Sequence, residues 1–485
     1  MRDFERSTPE AQGIRTKDII RFVKRLKECG LPMHSILIER HGKLVTELYY
    51  TPFDKDTLHR MYSETKSFVS LAIGCLIEEG KLTLQDRICD HFPEYLPGIV
   101  HPWLQEMTIE DMLKMETCYD MTVYSKGDPK ACWTREFFRA VPTHRPGTVF
   151  QYDTSGTHTM GSLVKKLTGK DPFAYLKEKG LSAVGVSDES HILQRPDGEA
   201  RSGSGLMAKP SDMMKTAILL LRDGYDEESG MQILPKEYVK DATSYQTGIY
   251  PNAHENTGYG YQFWMLKDND FMMSGMGMNH TVMLRSKDMA IVCTCDAQGM
   301  PAATAQYLRL FYENIVENVS DEAYPEDPEA QAELEALSKT LSIPVQGNVV
   351  TLTWQDRVNG KTFGVAANRH DFQAFRLTFE KEDEGVMEFV RNDRHYALPF
   401  GIGKNVKSTF PGYDDLQCYT SAGWLRKDTF YINSQVLDVE LSSEQFKFAF
   451  LEDGGLTIMM NKNEEVLMNE FKGLLNAHLI GEKAF

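Results

Sequence analysis

The sequence predicts an α/β fold of the α+β kind: an antiparallel sheet flanked by helices, followed by a smaller all-β domain, barrel or sandwich. Three observations predict it. Strand pairs stand at both ends of residues 1–318, with helical patterns and Gly/Pro punctuation between them, so the sheet draws on distant parts of the chain. Residues 319–345 turn acidic and carry spaced prolines around one amphipathic helix, which reads as a helical linker. In 346–485 short strands follow one another, with turns about every eight to twelve residues. At 485 residues the chain is also long for one hydrophobic core, so two domains are expected.

In chain order, HSILIERHGKLVTELYY (34–50) reads as two strands around a His41-Gly42 turn. Ser63 then opens a helix that continues as FVSLAIGCLIEEG, apolar on nearly every face and therefore buried on most of them, with Gly80 as its C-cap. Further helices are expected at 108–116, 134–140, 157–169, 173–179 and 211–223. HTVMLRSKDMAIVCTCDA (280–297) forms a second hairpin turning around Ser286–Asp288, and a helix over 301–318 covers the sheet. In the last domain the expected strands include VVTLTW, KTFGVAAN, AFRLTFEK, VMEFVR, YALPFG, QCYTSAGWL, TFYINSQ, VLDVELS, FKFAFLE and LTIMMNK.

Composition narrows the function classes. The chain has 53 Lys and Arg against 70 Asp and Glu, a net charge of −17. Such a surface repels nucleic acid and anionic lipid, and no Lys/Arg-rich run breaks the trend. Phe68 to Ile77, the most apolar run, is too short to span a bilayer. MRDFERSTPEAQG at the start has no apolar stretch of the signal-peptide kind. The eight cysteines stand singly apart from Cys293 and Cys295, which strand alternation places on one face; none matches a zinc-site spacing. Free buried thiols and a cytoplasmic location are the expectation, with no metal and no cofactor. Gly-x-Gly pairs lack a dinucleotide fingerprint, and Gly-x-Ser-x-Gly and His-Glu-x-x-His are absent.

The chemistry centres on Ser63 and Lys66. A serine hydroxyl needs a base beside it, and a spacing of three puts both side chains on one helix face. The helix N-terminus favours negative charge on a reacting oxygen, and burial favours a neutral lysine that acts as base. Ser-x-x-Lys alone is a weak signal; Ser162 and Lys165 repeat it mid-helix, where the lysine faces water.

The surrounding motifs resemble the class C β-lactamase-related serine hydrolases, which include penicillin-binding-protein-like, esterase, D-aminopeptidase and aminohexanoate-oligomer hydrolase branches. MYSETKSFVSLAIGCLIEEGKLTLQDRICDHFPEYLP resembles the nucleophile helix and the Gly-Lys-Leu-x-Leu-x-Asp stretch, here Gly80 to Asp86. TIEDMLKMET (108–117), RPGTVFQYDTSGTHTMG (145–161), SGSGLMAKPSDMMKTAILLLRDG (202–224) and FMMSGMGMNHTVMLRSKDMAIVCTCD (271–296) resemble later family segments, in family order over residues 8–318. The resemblance implies a β-lactamase/transpeptidase-like domain and an acyl-enzyme mechanism. It casts Tyr152 as the second-motif tyrosine that shuttles protons, and the backbone N–H groups of Ser63 and Met276 as an oxyanion hole beside Gly275.

Departures from the family pattern redirect the substrate. Thr154 stands where the second motif has Asn, and Met273 where β-lactamases and penicillin-binding proteins have a carboxylate-holding Lys. GMGMN (275–279) resembles instead the Gly-x-x-Gly-Gln strand of the esterase and aminohexanoate-oligomer branches, which makes Gly275, Gly277 and Asn279 substrate-side residues together with Thr154. Cys118 replaces a glycine beside the pocket. His158 is read as a helix-face residue, His280 either lines the pocket or packs, and the methionines at 272, 273, 276 and 278 form either an apolar substrate wall or strand core. The expected function is hydrolysis of a small ester or amide, a short peptide included, through an acyl-enzyme on Ser63. The alternatives are a D-amino-acid-specific peptidase or penicillin-binding-protein-like enzyme, a weak β-lactamase, and a non-catalytic binding scaffold.

Overall fold

The computed structural model describes residues 3–124, 130–250, 257–464 and 467–481. The chain divides into two compact units, 1–343 and 344–485.

The first unit is built on an antiparallel sheet of seven strands among the described residues. Helix α1 (Thr16–Glu28) leads into β1 (Met33–Arg40) and β2 (Lys43–Tyr49). His41 and Gly42 turn this hairpin with φ of 54° and 76°, as a tight two-residue connection requires. The buried helix α2 (Thr65–Glu78) follows, then α3 (Thr154–Thr168) and α4 (Pro210–Leu221). The chain returns to the sheet with β3 (Gly258–Tyr259), β4 (Trp264–Met265), β5 (Phe271–Gly275), β6 (Asn279–Leu284) and β7 (Met289–Cys295). Strand order is β2-β1-β7-β6-β5-β4-β3, so the first hairpin zips onto the last strand, with Ile36 opposite Cys293. The sheet is buried on both faces. One core lies between it and α1 and α5 (Ala303–Asn314); the other joins it to α2, α3 and α4.

Two elements differ from expectation here. No helix was read before the first hairpin, yet α1 buries Ile19, Ile20, Phe22, Val23 and Leu26 along one face. The acidic 319–345 segment contains α6 (Pro328–Ser338), whose cap Asp327 pairs with Lys17 and whose Glu333 pairs with Lys24 of α1, so this stretch packs with the first unit.

The second unit is a ten-stranded sheet among the described residues, from Thr362–Val365 to Gly473–Gly481, of which nine strands close into a barrel and Val406–Phe410 pairs along the edge of Tyr413–Arg426. Neighbours pair antiparallel, and one short parallel contact closes the barrel, Gly401 opposite Ser421 and Ile402 opposite Ala422. Phenylalanines and the fully buried Trp424 fill the interior. VVTLTW is loop rather than strand: Val349 and Leu352 point into solvent, and its backbone meets the barrel only through separate bonds, Val349 N to the Trp424 carbonyl at 2.9 Å and Trp354 N to the Lys427 carbonyl at 2.7 Å, rather than a continuous ladder. VLDVELS is the turn between the strands Thr429–Leu437 and Leu441–Phe450. Val406–Phe410 and Gly473–Gly481 are strands that the sequence reading did not include.

Candidate functional site

The site is assembled where α2 meets the end of β5. His59 and Arg60 pair with Met207 and Ala208, and Met61 N donates to Leu206 O, so the chain enters the site as a short strand. Tyr62 then adopts φ 48°, a left-handed conformation costly for a bulky side chain, and Tyr62–Glu64 form one 3₁₀ turn before α2. Thr65 locks the turn by donating to Tyr62 O at 2.5 Å and accepting from Leu206 N at 3.0 Å. Ser63 is thereby left half-exposed just ahead of a helix whose first twelve residues, Thr65–Leu76, are buried.

Lys66 Nζ lies 3.0 Å from Ser63 Oγ and donates to the Gly203 carbonyl at 2.7 Å. Its side chain is 1% exposed. The amine sits 5.0 Å from the centroid of the Tyr152 ring. Tyr152 is hydrogen-bonded to Ser63; burial pushes its hydroxyl up to about 12, with the Ser63 bond opposing. Asp153 caps α3 by accepting from Ser155 N and Gly156 N, which places Tyr152 just ahead of the helix. Trp264 stacks on the Tyr152 ring at 5.6 Å and 19°. Gln262 ties the two helices together, accepting from Ser67 on its carbonyl and from Thr157 on its side chain.

Gly275 ends β5 against the Met61 backbone, where a Cβ would overlap the Met61 carbonyl oxygen, so only glycine permits this approach. Met276 follows half-buried, and Gly277 (φ 78°) and Met278 (φ 69°) complete the turn into β6. Thr154, at the first position of α3, has its methyl against Gly203 and its N–H donating to Thr122. Ser63, Lys66, Tyr152, Thr154, Gly275 and Met276 therefore surround one locus.

Asn279 and Cys118 do not join it as substrate contacts. Asn279 is fully buried; its amide donates to Met276 O at 2.7 Å and accepts from Cys295 N at 3.1 Å, bracing the turn. Cys118 is fully buried in the core beside α2, and its carbonyl accepts from Thr143 N. Gly277 serves the turn through its positive φ. His158 faces Glu199 at 3.0 Å, and His280 packs under α5 against Thr304 and Tyr307. Met272 and Met278 belong to the core under α1 and α5, and Met273 to the opposite core. The decoy Ser162 is bonded to Thr134, while Lys165 reaches the Gly198 carbonyl.

Sequence reasoning missed three participants. The Gly203 carbonyl lay in a quoted small-residue stretch without a role, Trp264 carried no motif, and Gln262 was unremarkable as a sequence letter. All eight cysteines are free thiols. Among the described residues there is no group of acidic, His or Cys side chains suited to hold a metal, and no helix is long and apolar enough to cross a membrane.

The chain is 25% identical over 179 residues to "Protein flp" of Staphylococcus aureus (strain COL), covering 34% of this chain and 36% of that protein. The chain thus spans about a third of that relative's length. It is 19% identical over 268 residues to "6-aminohexanoate-dimer hydrolase" of Paenarthrobacter ureafaciens, covering 50% of this chain and 67% of the relative. A putative 6-aminohexanoate-dimer hydrolase from Bacillus anthracis superposes with a TM-score of 0.55 at 20% identity, over 64% of this chain and 87% of that one. The Beta-lactamase family model matches residues 19–312, a stretch that contains every residue of the Ser63 cluster and more than half of the chain. The chain belongs to the Beta-lactamase family.

Proposed function

We propose that this chain is a serine hydrolase that cleaves a small ester or amide through an acyl-enzyme on Ser63. The observation that carries the reading is the sharing of Ser63 Oγ between the Lys66 amine at 3.0 Å and the Tyr152 hydroxyl. Ser63 Oγ attacks the carbonyl carbon while Lys66 takes its proton. The tetrahedral oxyanion is met by the backbone N–H groups of Ser63 and Met276, which the close fit of Gly275 against Met61 supports. Collapse breaks the bond to the leaving alcohol or amine, and Tyr152, a neutral phenol well above neutral pH, passes it the proton relayed from Lys66. Water then attacks the acyl-enzyme by the reverse proton path, releasing the acid and restoring Ser63. Similarity to the 6-aminohexanoate-dimer hydrolase supports hydrolysis as the reaction class. Met273, fully buried in the core, offers no cation for a β-lactam carboxylate, which favours esters and unstrained amides.

Labelling with a fluorophosphonate ester tests the reading directly. Wild type labels and the Ser63→Ala variant does not; equal labelling of the variant would sink the assignment. A panel of p-nitrophenyl esters, D-amino-acid amides and nitrocefin then ranks substrates, with nitrocefin expected last.

A further inference from the structure

Next to the nucleophile the fold buries an ionisable group for which the proposed reaction has no use. Glu64 lies inside the Tyr62–Glu64 turn and is fully buried. Its Oε2 accepts from Thr281 Oγ1 of β6 at 2.6 Å, and its Oε1 has no hydrogen-bond partner. An ionised carboxylate is acceptor-only and needs several donors, whereas this site supplies one. Three ionisable groups lie on the elements packed around it. Cys293 on β7 and Tyr307 on α5 are both held in their neutral forms by burial, and His280 on β6 faces Tyr307 and Thr304. Burial pushes the Glu64 carboxyl up to about 8, and the Thr281 bond opposes it.

The same bond is a mechanical tie. β6 begins at Asn279, which braces the Met276 turn, while Glu64 adjoins Ser63, so the Glu64–Thr281 contact joins the two pieces of backbone that carry the proposed oxyanion donors. We propose that Glu64 is a positioning residue that works as the neutral acid: protonated, it stays dry between the nucleophile turn and β6, whereas an ionised carboxylate, which the single Thr281 donor and the unpartnered Oε1 leave unsolvated, draws water into the turn, loosens it and sets the alkaline limit of activity. The proposal rests on the Ser63 hydrolase reading.

The direction in stability follows from linkage. The folded state holds this proton above the ordinary value of 4.5, so Glu64 makes stability fall as pH rises between about 4.5 and about 8, and adds no slope beyond. The Glu64→Gln variant keeps the shape and a neutral group but cannot ionise.

The experiment measures kcat/KM for p-nitrophenyl acetate, and the thermal midpoint in parallel, from about pH 5 to 10 on the full chain. Wild type loses activity above about pH 8; Glu64→Gln stays within about threefold of wild type at neutral pH and extends its plateau by about one pH unit or more. Glu64→Ala, which removes the tie, falls more than about tenfold at every pH. The midpoint difference between Glu64→Gln and wild type grows with pH up to about 8 and then levels. A Glu64→Gln profile with the wild-type alkaline limb overturns the proposal even if Glu64→Ala fails to fold. So does a midpoint difference that is independent of pH. Absence of Ser63-dependent turnover in wild type defeats the hydrolase reading and the alkaline-limit claim together, while the unfolding arm still shows whether Glu64 is buried as the acid.

Discussion

Three contacts hold Tyr152 where a proton relay is needed: the hydrogen bond to Ser63, the Lys66 amine near its ring, and the Trp264 face behind it. Removing only the hydroxyl leaves the stack in place, so Tyr152→Phe isolates the proton step. A loss of about a hundredfold or more in kcat is expected, with KM within about threefold, measured on p-nitrophenyl esters. A rise in KM with kcat preserved would assign Tyr152 to binding instead. At this scale the sequence was legible where chemistry is tied to local spacing. Ser63 and Lys66 are one helical turn apart, and Tyr152 sits in a motif that ends at a helix cap. It was illegible where the partner is a backbone atom or an aromatic face: nothing in the letters at Gly203 or Trp264 announces a carbonyl for Lys66 or a platform for Tyr152. Asn279 and Cys118 were misjudged because a residue type that suits a pocket wall suits a buried turn equally well, and only burial separates the two.

Among elements, hairpins with left-handed turn residues were readable, since His41-Gly42 and Asp288 mark the reversals by chain geometry. VVTLTW had strand chemistry without a strand, because it meets the barrel only at Val349 and Trp354, and a continuous ladder depends on register that the local sequence does not supply. The short strand leading to the nucleophile carries a pH-sensitive joint of its own. His59 Nε2 lies 2.8 Å from His34 Nδ1 of β1, and its Nδ1 donates to the Arg60 carbonyl at 3.0 Å, so both rings fit as neutral tautomers. Phe53 stacks on His34 at 4.1 Å, and burial pulls His59 down to about 4. Because the folded-state value is lowered, the contribution is present above about pH 6.5 and is lost as pH falls toward 4. For His59 this amounts to about 3 kcal/mol. Thermal midpoints at pH 7 and 4 check it: His59→Gln narrows the acid-induced drop relative to wild type. An unchanged drop would place the acid lability elsewhere.

For the whole molecule, the two units each enclose a complete apolar interior: the two cores flanking the seven-stranded sheet lie within 1–343, and the barrel core lies within 344–485. This division was partly legible, since the change from mixed to all-strand patterning is a local property of sequence. The attachment of α6 was not, because its acidic surface reads equally as a solvated linker until Lys17 and Lys24 of α1 are seen opposite it. Every group proposed to take part in catalysis, and the Glu64 tie, belongs to the first unit. Cooperative unfolding follows shared packing, so two separate interiors predict two transitions in scanning calorimetry of the full chain rather than one. Trp424 is fully buried among Phe379, Phe430 and Phe450, and Trp424→Ala removes about 3–5 kcal/mol from the barrel core. That variant lowers one transition and leaves the other, together with esterase activity assayed below both midpoints, at the wild-type value. His59→Gln moves the opposite transition and its acid dependence. A single transition displaced as a whole by either substitution would mean that the two interiors melt as one cooperative body.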